Sequence, residues 1–207
     1  MNSEGFSRTL SWILRHAAVK RGLAVSPDGY VLWDDMKDMV EFTRLNDGKP
    51  FSVEQLACVV HTNDKKRFAM KNEDGRVYVR ANQGHSVEVG SKIVSDQLLT
   101  KLTKGDIANY PIVVHGTTDS AYRLIRTQGL KVMGRTHIHF AISDRLDGND
   151  TNLSGIRSNA DLLIYIDVLK AMDDGIEFYI SENKVILTKG KAGTLAPKYF
   201  TQVKSVD

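Results

Sequence analysis

The feature of this sequence that most constrains its fold is a pair of apolar runs, each of which contains histidine. Residues 112–118 end in His-Gly-Thr-Thr and are followed by a helical pattern. Residues 135–141 alternate polar and apolar side chains, which places His137 and His139 on one face of a strand. Three of the six histidines fall within these two segments. We therefore expect two strands that carry a functional site, with the rest of the chain bringing a substrate to it.

The composition is that of a folded protein with a modest positive charge. A chain of 207 residues suggests one large domain or two small ones. A hydrophobic content of 42% and a net charge of +3 allow a buried core and are compatible with a nucleic-acid partner, without being diagnostic of one. The single cysteine, Cys58, excludes an internal disulfide and a cysteine-based zinc cluster. Its apolar helical surroundings predict a buried thiol.

The sequence gives no sign of a membrane protein or a secreted one. No apolar run approaches the roughly 18 residues that a membrane-spanning helix needs. The first residues lack the basic stretch followed by an apolar stretch that marks a secretory signal. We expect a soluble, monomeric protein of the cell interior, cytoplasmic or nuclear.

The first half of the chain has the element order of a winged helix. The pattern predicts helices at 3–21, 34–44 and 52–63, a short strand at 30–32, and hairpin strands at 67–70 and 77–80. Ser52 is the expected N-cap of the third helix. In the first helix, Arg15 and His16 fall on the polar side and flank Trp12. A winged helix commonly handles nucleic acid, but it also serves protein contacts.

The second half of the chain reads as a mixture of strands and helices. We expect strands at 112–115, 137–141, 162–168, 176–180 and 184–188, an edge segment at 195–203, a helix at 119–128 closed by Gly129, and loops at 105–111 and 143–152. Residues 93–102 fit either a helix or an irregular segment. The prediction is therefore an α+β fold with a lobe at 1–90, a linking segment at 91–110 and a second lobe at 111–207.

Several familiar sites for cofactors are absent from the sequence. It contains neither the glycine-rich fingerprint of dinucleotide-binding folds nor a phosphate loop of the Walker type. His137 and His139 have the spacing of a metal pair on a strand, but no third ligand of the usual kind is evident. We expect no metal.

Basic residues in separate segments indicate an anionic ligand. They are Arg15 with His16, residues 65–67, Arg135 and Arg157. Arg157 lies in a Gly/Ser-containing stretch whose backbone, hydroxyl and guanidinium donors suit an oxyanion. Alone, this stretch also fits an ordinary turn with a surface arginine. Together, the segments predict a site for a highly anionic ligand.

Seven short motifs, in order along the chain, carry a resemblance to a known family. They are Leu-Arg-His at 14–16, Thr-Asn-Asp-Lys-Lys-Arg-Phe at 62–68, Arg-Ala-Asn-Gln-Gly-His-Ser at 80–86, His-Gly-Thr at 115–117, Gly-Arg-Thr-His-Ile-His-Phe-Ala at 134–141, Ser-Gly-Ile-Arg-Ser at 154–158 and Val-Ile-Leu-Thr at 185–188. With them the sequence resembles the NAD-dependent tRNA 2′-phosphotransferases of tRNA splicing. This resemblance implies a winged-helix, RNA-binding lobe followed by an NAD-binding lobe of the ADP-ribosyltransferase fold.

The same resemblance implies a reaction in two steps with NAD as co-substrate. The RNA 2′-phosphate attacks the nicotinamide ribose and expels nicotinamide. The ribose 2″-OH then attacks phosphorus, which releases 2′-OH RNA and ADP-ribose 1″,2″-cyclic phosphate. The alternatives are an ADP-ribosyltransferase that caps terminal phosphates of RNA or DNA without removing them, and an RNA binder that is not an enzyme.

The resemblance also assigns roles to individual residues. The catalytic group is Arg15, His16, Arg67 and Arg157. The NAD-binding group is His115, Gly116, Thr117, Arg135, His139 and Val185, and the RNA-binding group is Lys66, Gln83, His85 and Ser158. Val185 stands where many ADP-ribosyltransferases carry a glutamate, as this family's pattern expects. Thr136 and Ile156 replace an expected asparagine and methionine, and neither change removes a charged group.

Overall fold

The computed structural model describes residues 3–144, 156 and 159–206. The chain divides into two compact units, Met1–Leu98 and Leu99–Asp207. The boundary between the units falls inside residues 91–110, the linking segment that the sequence predicts between the two lobes. Both units mix helices and strands, as expected for an α+β protein. None of the helices in the described part of the chain is long and apolar enough to cross a membrane.

The first unit contains short helices around a small sheet. Its helical elements are α1 (Ser3–Trp12), a π-helical turn (Ile13–Ala17), a 3-10 turn (Trp33–Asp35), α2 (Val40–Thr43), α3 (Val53–His61), α4 (Val87–Gly90) and α5 (Ser95–Leu98). Its strands are β1 (Val31–Leu32), β2 (Phe68–Glu73) and β3 (Arg76–Ala81), which pair antiparallel in the order β1-β3-β2. The two-residue turn between β2 and β3 consists of Asp74 and Gly75, both with positive φ, as the favoured hairpin turns require.

An aromatic cluster forms the core of the first unit. The rings of Phe6 and Phe51 stack with centroids 4.1 Å apart, and Phe42 meets Phe6 edge-on. Trp33 packs against both Phe6 and Phe42. All four side chains are buried. The cluster joins α1 to the segments on either side of α2, so burial of aromatic area fixes the positions of these short elements.

Three predictions for this unit need correction. The helix expected at 3–21 ends as an α-helix at Trp12 and continues as the π-helical turn only to Ala17. The helix expected at 34–44 is broken into the 3-10 turn and α2, because Met39 is extended and both Trp33 and Phe42 turn into the same core. The thiol of Cys58 is exposed, not buried, since Leu56 and Val59 occupy the face of α3 that packs inward. The cap predicted at Ser52 is confirmed, with reciprocal hydrogen bonds to Gln55.

The second unit consists mainly of strands. Its elements are β4 (Thr100–Lys101), α6 (Lys104–Ile107), β5 (Val114–Thr117), α7 (Asp119–Gln128), β6 (Leu130–Lys131), β7 (Ile138–Phe140), β8 (Leu162–Ile166), α8 (Val168–Asp173), β9 (Phe178–Ile180), β10 (Ile186–Thr188), β11 (Thr194–Leu195), a 3-10 turn (Pro197–Tyr199) and β12 (Phe200–Ser205). The described strands form sheets of order β4-β9-β10-β7, β12-β8-β5 and β11-β6.

A bridge between β5 and β7 brings the two histidine-bearing segments side by side. The N–H of Val114 donates to the carbonyl of Ala141 at 2.9 Å, and the N–H of Ala141 donates back at 2.8 Å. Phe140 of β7 and Ile164 of β8 are fully buried and belong to the same hydrophobic cluster. The four-stranded and three-stranded sheets of this unit therefore share one core, and the two histidine-bearing strands lie next to each other.

Local capping explains where the second unit departs from expectation. The loop predicted at 105–111 begins within α6, because Thr103 and Asp106 form a capping box. The strand predicted at 162–168 ends at Ile166, because Asp167 accepts a hydrogen bond from the N–H of Lys170 and starts α8. Residues 93–102 form α5 and then β4. Most of the predicted loop at 143–152 lies outside the described residues.

Candidate functional site

Arg15 and His16 occupy the π-helical turn that follows α1. The N–H of Ala18 donates to the carbonyl of Ile13, five residues back, at 2.9 Å. Ile13 and its neighbours in the turn remain buried, whereas the side chains of Arg15 and His16 are half-buried. Such widened turns occur frequently at functional sites. Here the turn keeps the apolar side in the core while it holds a cation and an imidazole next to each other.

Arg67 lies at the end of a tight loop that Asn63 organises. The side-chain oxygen of Asn63 accepts from the N–H of Arg67 at 3.0 Å, and its amide donates to Ser7 at 3.2 Å. The carbonyl of Asn63 accepts from the N–H of Lys66 at 2.8 Å. Lys66 is exposed and has a φ of +42°, a backbone conformation that residues with a Cβ rarely adopt. The loop therefore fixes the backbone from which Arg67 projects.

Two half-buried cations lie close together in this loop. Burial lowers the pKa of Arg67, and the nearby charge of Asp64 opposes that effect. Burial also lowers the pKa of Lys65, and the charge of Arg67 adds to the effect. Partial desolvation and mutual repulsion both disfavour the charged forms of these side chains. A bound anion would offset the two effects, so such a pair favours anion binding. The loop is therefore suited to phosphate.

Residues 82–86, hereafter the 82–86 segment, contact the backbone of both arginines. The N–H of Asn82 donates to the carbonyl of Arg67 at 2.9 Å, and the N–H of Ser86 donates to the carbonyl of Arg15 at 2.9 Å. Within the segment, Gln83 is half-buried. His85 is only 3% exposed, so its proposed contact with RNA stays a prediction.

In the second unit, His115 is held by the strand that carries His139. Its Nδ1 lies 2.9 Å from the carbonyl oxygen of His139. Because a carbonyl only accepts, Nδ1 is the donor in this contact and carries a proton. The ring of Phe140 meets that of His115 edge-on at 6.0 Å. The structure thus brings together two of the predicted NAD-binding residues.

Gly116 and Thr117 have structural contacts that the sequence did not indicate. A Cβ at Gly116 would lie 2.7 Å from Cγ2 of Ile156 and 3.2 Å from Cβ of Ala160. The carbonyl of Thr117 accepts from the N–H of Asp161 at 2.8 Å. These contacts hold Ile156, Ala160 and Asp161 against β5. Only the folded structure reveals that Gly116 is needed for this close packing.

The remaining residues assigned to NAD differ in accessibility. Arg135 is half-buried, and its N–H donates to the carbonyl of Val132 at 3.1 Å. Val185 is 0% exposed, and its backbone N–H and carbonyl both pair with Ser181. Its side chain can therefore supply only packing. Arg157 and Ser158 lie outside the described residues, so their assigned roles stay predictions.

His137 is a buried polar residue. The sequence suggests no role for it beyond a metal pair with His139. It is 6% exposed, its Nδ1 lies 2.9 Å from the hydroxyl of Thr136, and Tyr179 meets its ring edge-on. Burial, with a smaller contribution from Lys189, lowers the pKa of His137 to about 4. The ring is therefore neutral at physiological pH. The alternation of residues 135–141 was the only signal for it.

Comparison with known proteins identifies the class to which this chain belongs. The family model described as RNA 2'-phosphotransferase, Tpt1 / KptA family, matches residues 2–190. This match covers the segments of Arg15 and Arg67 in the first unit and both histidine-bearing strands of the second. The chain belongs to this family, which confirms the resemblance seen in the sequence motifs.

Individual relatives extend the match over nearly the whole chain. A relative from Schizosaccharomyces pombe is 42% identical over 203 residues, which cover 98% of this chain and 51% of that protein. The tRNA 2'-phosphotransferase 1 of Danio rerio is 44% identical over 202 residues, covering 96% of this chain and 84% of the relative. The human protein of the same name is 39% identical over 199 residues, covering 95% of this chain and 73% of the human protein. The chain thus spans about half the length of the S. pombe protein and most of the two vertebrate ones.

Proposed function

We propose that this protein is an NAD-dependent RNA 2′-phosphotransferase that moves the splice-junction 2′-phosphate of tRNA to NAD. The observation that carries this proposal is the placement of Arg15 and Arg67 on backbone held by one short segment, with Lys65 beside Arg67. Membership of the 2′-phosphotransferase family supports the choice of substrate. The helices and antiparallel hairpin of the first unit support a winged-helix lobe that binds RNA.

In the first step, an oxygen of the RNA 2′-phosphate attacks C1″ of the nicotinamide ribose. The bond from C1″ to the ring nitrogen breaks, and neutral nicotinamide leaves with the electron pair. His115, His139 and Arg135 are the residues we assign to the NAD ribose and phosphates, in an ADP-ribosyltransferase-like unit. Since Nδ1 of His115 donates to a carbonyl, we assign its Nε2 to a hydrogen bond with a ribose hydroxyl.

In the second step, the ribose 2″-OH gives up its proton as its oxygen attacks phosphorus, and the bond to the RNA 2′-oxygen breaks. That oxygen takes up a proton, and ADP-ribose 1″,2″-cyclic phosphate is released. Negative charge builds on the nonbridging oxygens, where Arg15, Arg67 and Arg157 would stabilise it. We assign the transfer of this proton to the imidazole of His16, the side chain type that most often acts as a general acid or base.

The test is incubation of the protein with an oligonucleotide that carries one internal 2′-phosphate, with and without NAD. Mass spectrometry should show loss of the phosphate only with NAD, together with nicotinamide and the cyclic ADP-ribose phosphate. A matched 2′-OH oligonucleotide with a 5′-phosphate is the control. Accumulation of an ADP-ribosylated strand, without phosphate loss, would favour the capping activity instead. Retention of the 2′-phosphate at all NAD concentrations would rule the proposal out.

A further inference from the structure

Asn82 has contacts that no assigned catalytic or binding role explains. It is 2% exposed, its side-chain amide donates to the carbonyl of Lys66 at 2.8 Å, and its N–H donates to the carbonyl of Arg67 at 2.9 Å. One residue therefore holds two successive carbonyls of the loop that carries Arg67. A surface turn would normally leave these carbonyls to water.

We propose that Asn82 is a positioning residue that acts through Arg67 to set the geometry of phosphate recognition. The inference rests on the proposed function, because it assumes that Arg67 binds the RNA 2′-phosphate. Asn82 itself is buried in the loop and touches backbone, so it is not proposed as a ligand.

The backbone of Lys66 shows why the loop needs to be held. Its φ of +42° lies in the left-handed region, which is unfavourable for a residue with a Cβ. Two hydrogen bonds keep it there: its N–H donates to the carbonyl of Asn63, and its carbonyl accepts from Asn82. Loss of the Asn82 amide removes one of them. The peptide between Lys66 and Arg67 is then held only through the N–H of Arg67, which donates to the side chain of Asn63. It can tilt about that bond, and the direction in which Arg67 leaves the backbone changes.

The other end of the 82–86 segment bears on Arg15. Gly84 has a φ of +89°, and a Cβ placed on it would lie 3.4 Å from Cζ and Nε of Arg15. The guanidinium of Arg15 thus lies against the backbone of Gly84, and Ser86 holds the carbonyl of Arg15. The segment therefore determines the separation between the backbones of Arg15 and Arg67.

This separation matters because guanidinium groups recognise phosphate by fixed, directional hydrogen bonds. A change of about 1 Å in the position of a binding group can weaken catalysis by up to about a hundredfold. We therefore expect loss of the Asn82 amide to reduce the preference of the protein for a 2′-phosphorylated strand, and to leave binding of an unmodified strand nearly unchanged.

The experiment compares Asn82→Ala and Asn82→Asp with Asn46→Ala. Asn46 is a matched control, because its side-chain amide also donates to loop carbonyls, those of Lys49 and Pro50, in a loop with no assigned residue. The affinities for a 2′-phosphorylated oligonucleotide and its 2′-OH counterpart are measured along with thermal unfolding. Both Asn82 variants should lose about tenfold in the ratio of the two affinities. Asn46→Ala should keep the parental ratio.

A double-mutant cycle separates positioning from general stability. In an Arg67→Ala background, Asn82→Ala should cause no further loss in the affinity ratio, because its effect passes through Arg67. Multiplicative losses would overturn the proposal, as would unfolding of both Asn82 variants at the assay temperature. If the parent discriminates the two strands but removes no phosphate with NAD, the proposed function fails while the positioning role stands. If the cycle shows multiplicative losses while the parent removes the phosphate, the positioning role of Asn82 fails and the proposed function stands.

A second background tests the role of the left-handed conformation. Glycine adopts positive φ at no steric cost, so Lys66→Gly reduces the need for the Asn82 hydrogen bond. Asn82→Ala should therefore cost less in the Lys66→Gly protein than in the parent. An equal or larger cost would contradict the mechanism that we assign to Asn82.

Discussion

The Nδ1 nitrogen of His115 lies 2.9 Å from the carbonyl oxygen of His139, so one candidate ligand of NAD orients another. The contact crosses from β5 to β7, next to the bridge between Val114 and Ala141. It makes Nδ1 of His115 a hydrogen-bond donor, and it fixes the ring relative to the neighbouring strand. The orientation of His115 is thus built into the pairing of the strands.

The first prediction concerns this imidazole. His115→Ala should raise the NAD concentration at half-maximal rate by about tenfold, because one hydrogen bond to the ribose is lost. Affinity for 2′-phosphorylated RNA should change little. His61→Ala is the matched control, since Nδ1 of the exposed His61 also lies 2.7 Å from a backbone carbonyl, that of Ala57. Equal NAD dependence in the parent and in His115→Ala would refute the role.

A second prediction concerns Gly116. Gly116→Ala should destabilise the second unit by about 1–3 kcal/mol, because its Cβ would collide with Ile156. Thermal or urea unfolding measures the loss. Gly134→Ala serves as the control, because a Cβ at Gly134 meets nothing within 4 Å and its φ is not positive. Unfolding of Gly116→Ala like that of the parent would show that the packing contact is unimportant.

The third prediction concerns Arg67. Arg67→Ala should slow phosphate removal by about a hundredfold or more, the usual effect of losing one donor to a charge that develops in the reaction. The fold should persist, because Arg67 is half-buried and its loop is held through backbone hydrogen bonds. Arg76→Ala, at an exposed end of β3, is the control. Parental turnover by Arg67→Ala would show that Arg67 is not catalytic.

The fourth prediction separates the two steps of the reaction. His16→Ala should slow the second step more than the first, since proton transfer to the leaving RNA oxygen is impaired. An ADP-ribosylated RNA 2′-phosphate should then be detectable by mass spectrometry in a quenched reaction. If the variant is slow but this intermediate is not detected, His16 acts in the first step instead.

The fifth prediction follows from the lowered pKa of His137. An unfolded imidazole takes up a proton as the pH falls through about 6.5, whereas folded His137 does so only near a pKa of about 4. Between these values the unfolded state binds more protons, so the free energy of unfolding falls as the pH falls. By pH 4.5 the loss from this residue should reach about 2 kcal/mol.

The variant His137→Gln lacks this titration. Urea unfolding at pH 7 and pH 4.5 should therefore show a smaller difference for the variant than for the parent. Other titrating groups contribute equally to both proteins and cancel in the comparison. An identical pH dependence would show that folded His137 titrates like a solvated histidine.

Features that depend on local chemistry were predictable from the sequence. Ser52 and Gln55 form the expected cap, and Gly129 ends α7 with a φ of +81°. The alternation around His139 correctly predicted a strand, which is β7. In each case the signal lies within a few residues, where hydrogen bonding and φ preferences act directly.

Features that depend on contacts between distant residues were not predictable. The π-helical turn at Arg15 depends on how the buried residues before and after it pack in the core. The helical periodicity of the sequence carries no information about that packing. The contact of Asn82 with Lys66 joins residues 16 apart. Gly116 meets Ile156 although α7, β6 and β7 lie between them in the chain. Cys58 was assigned to the wrong face because its apolar neighbours do not define which side packs inward.

Ser86 gives the widened turn a link to a second element. Its hydroxyl accepts from the N–H of Val89 and begins α4, while its N–H donates to the carbonyl of Arg15. A helix of four residues does not persist by itself in water. Fraying of α4 and loosening of the turn around Arg15 are therefore parts of the same local opening event, and amide protons in both places would exchange with solvent together.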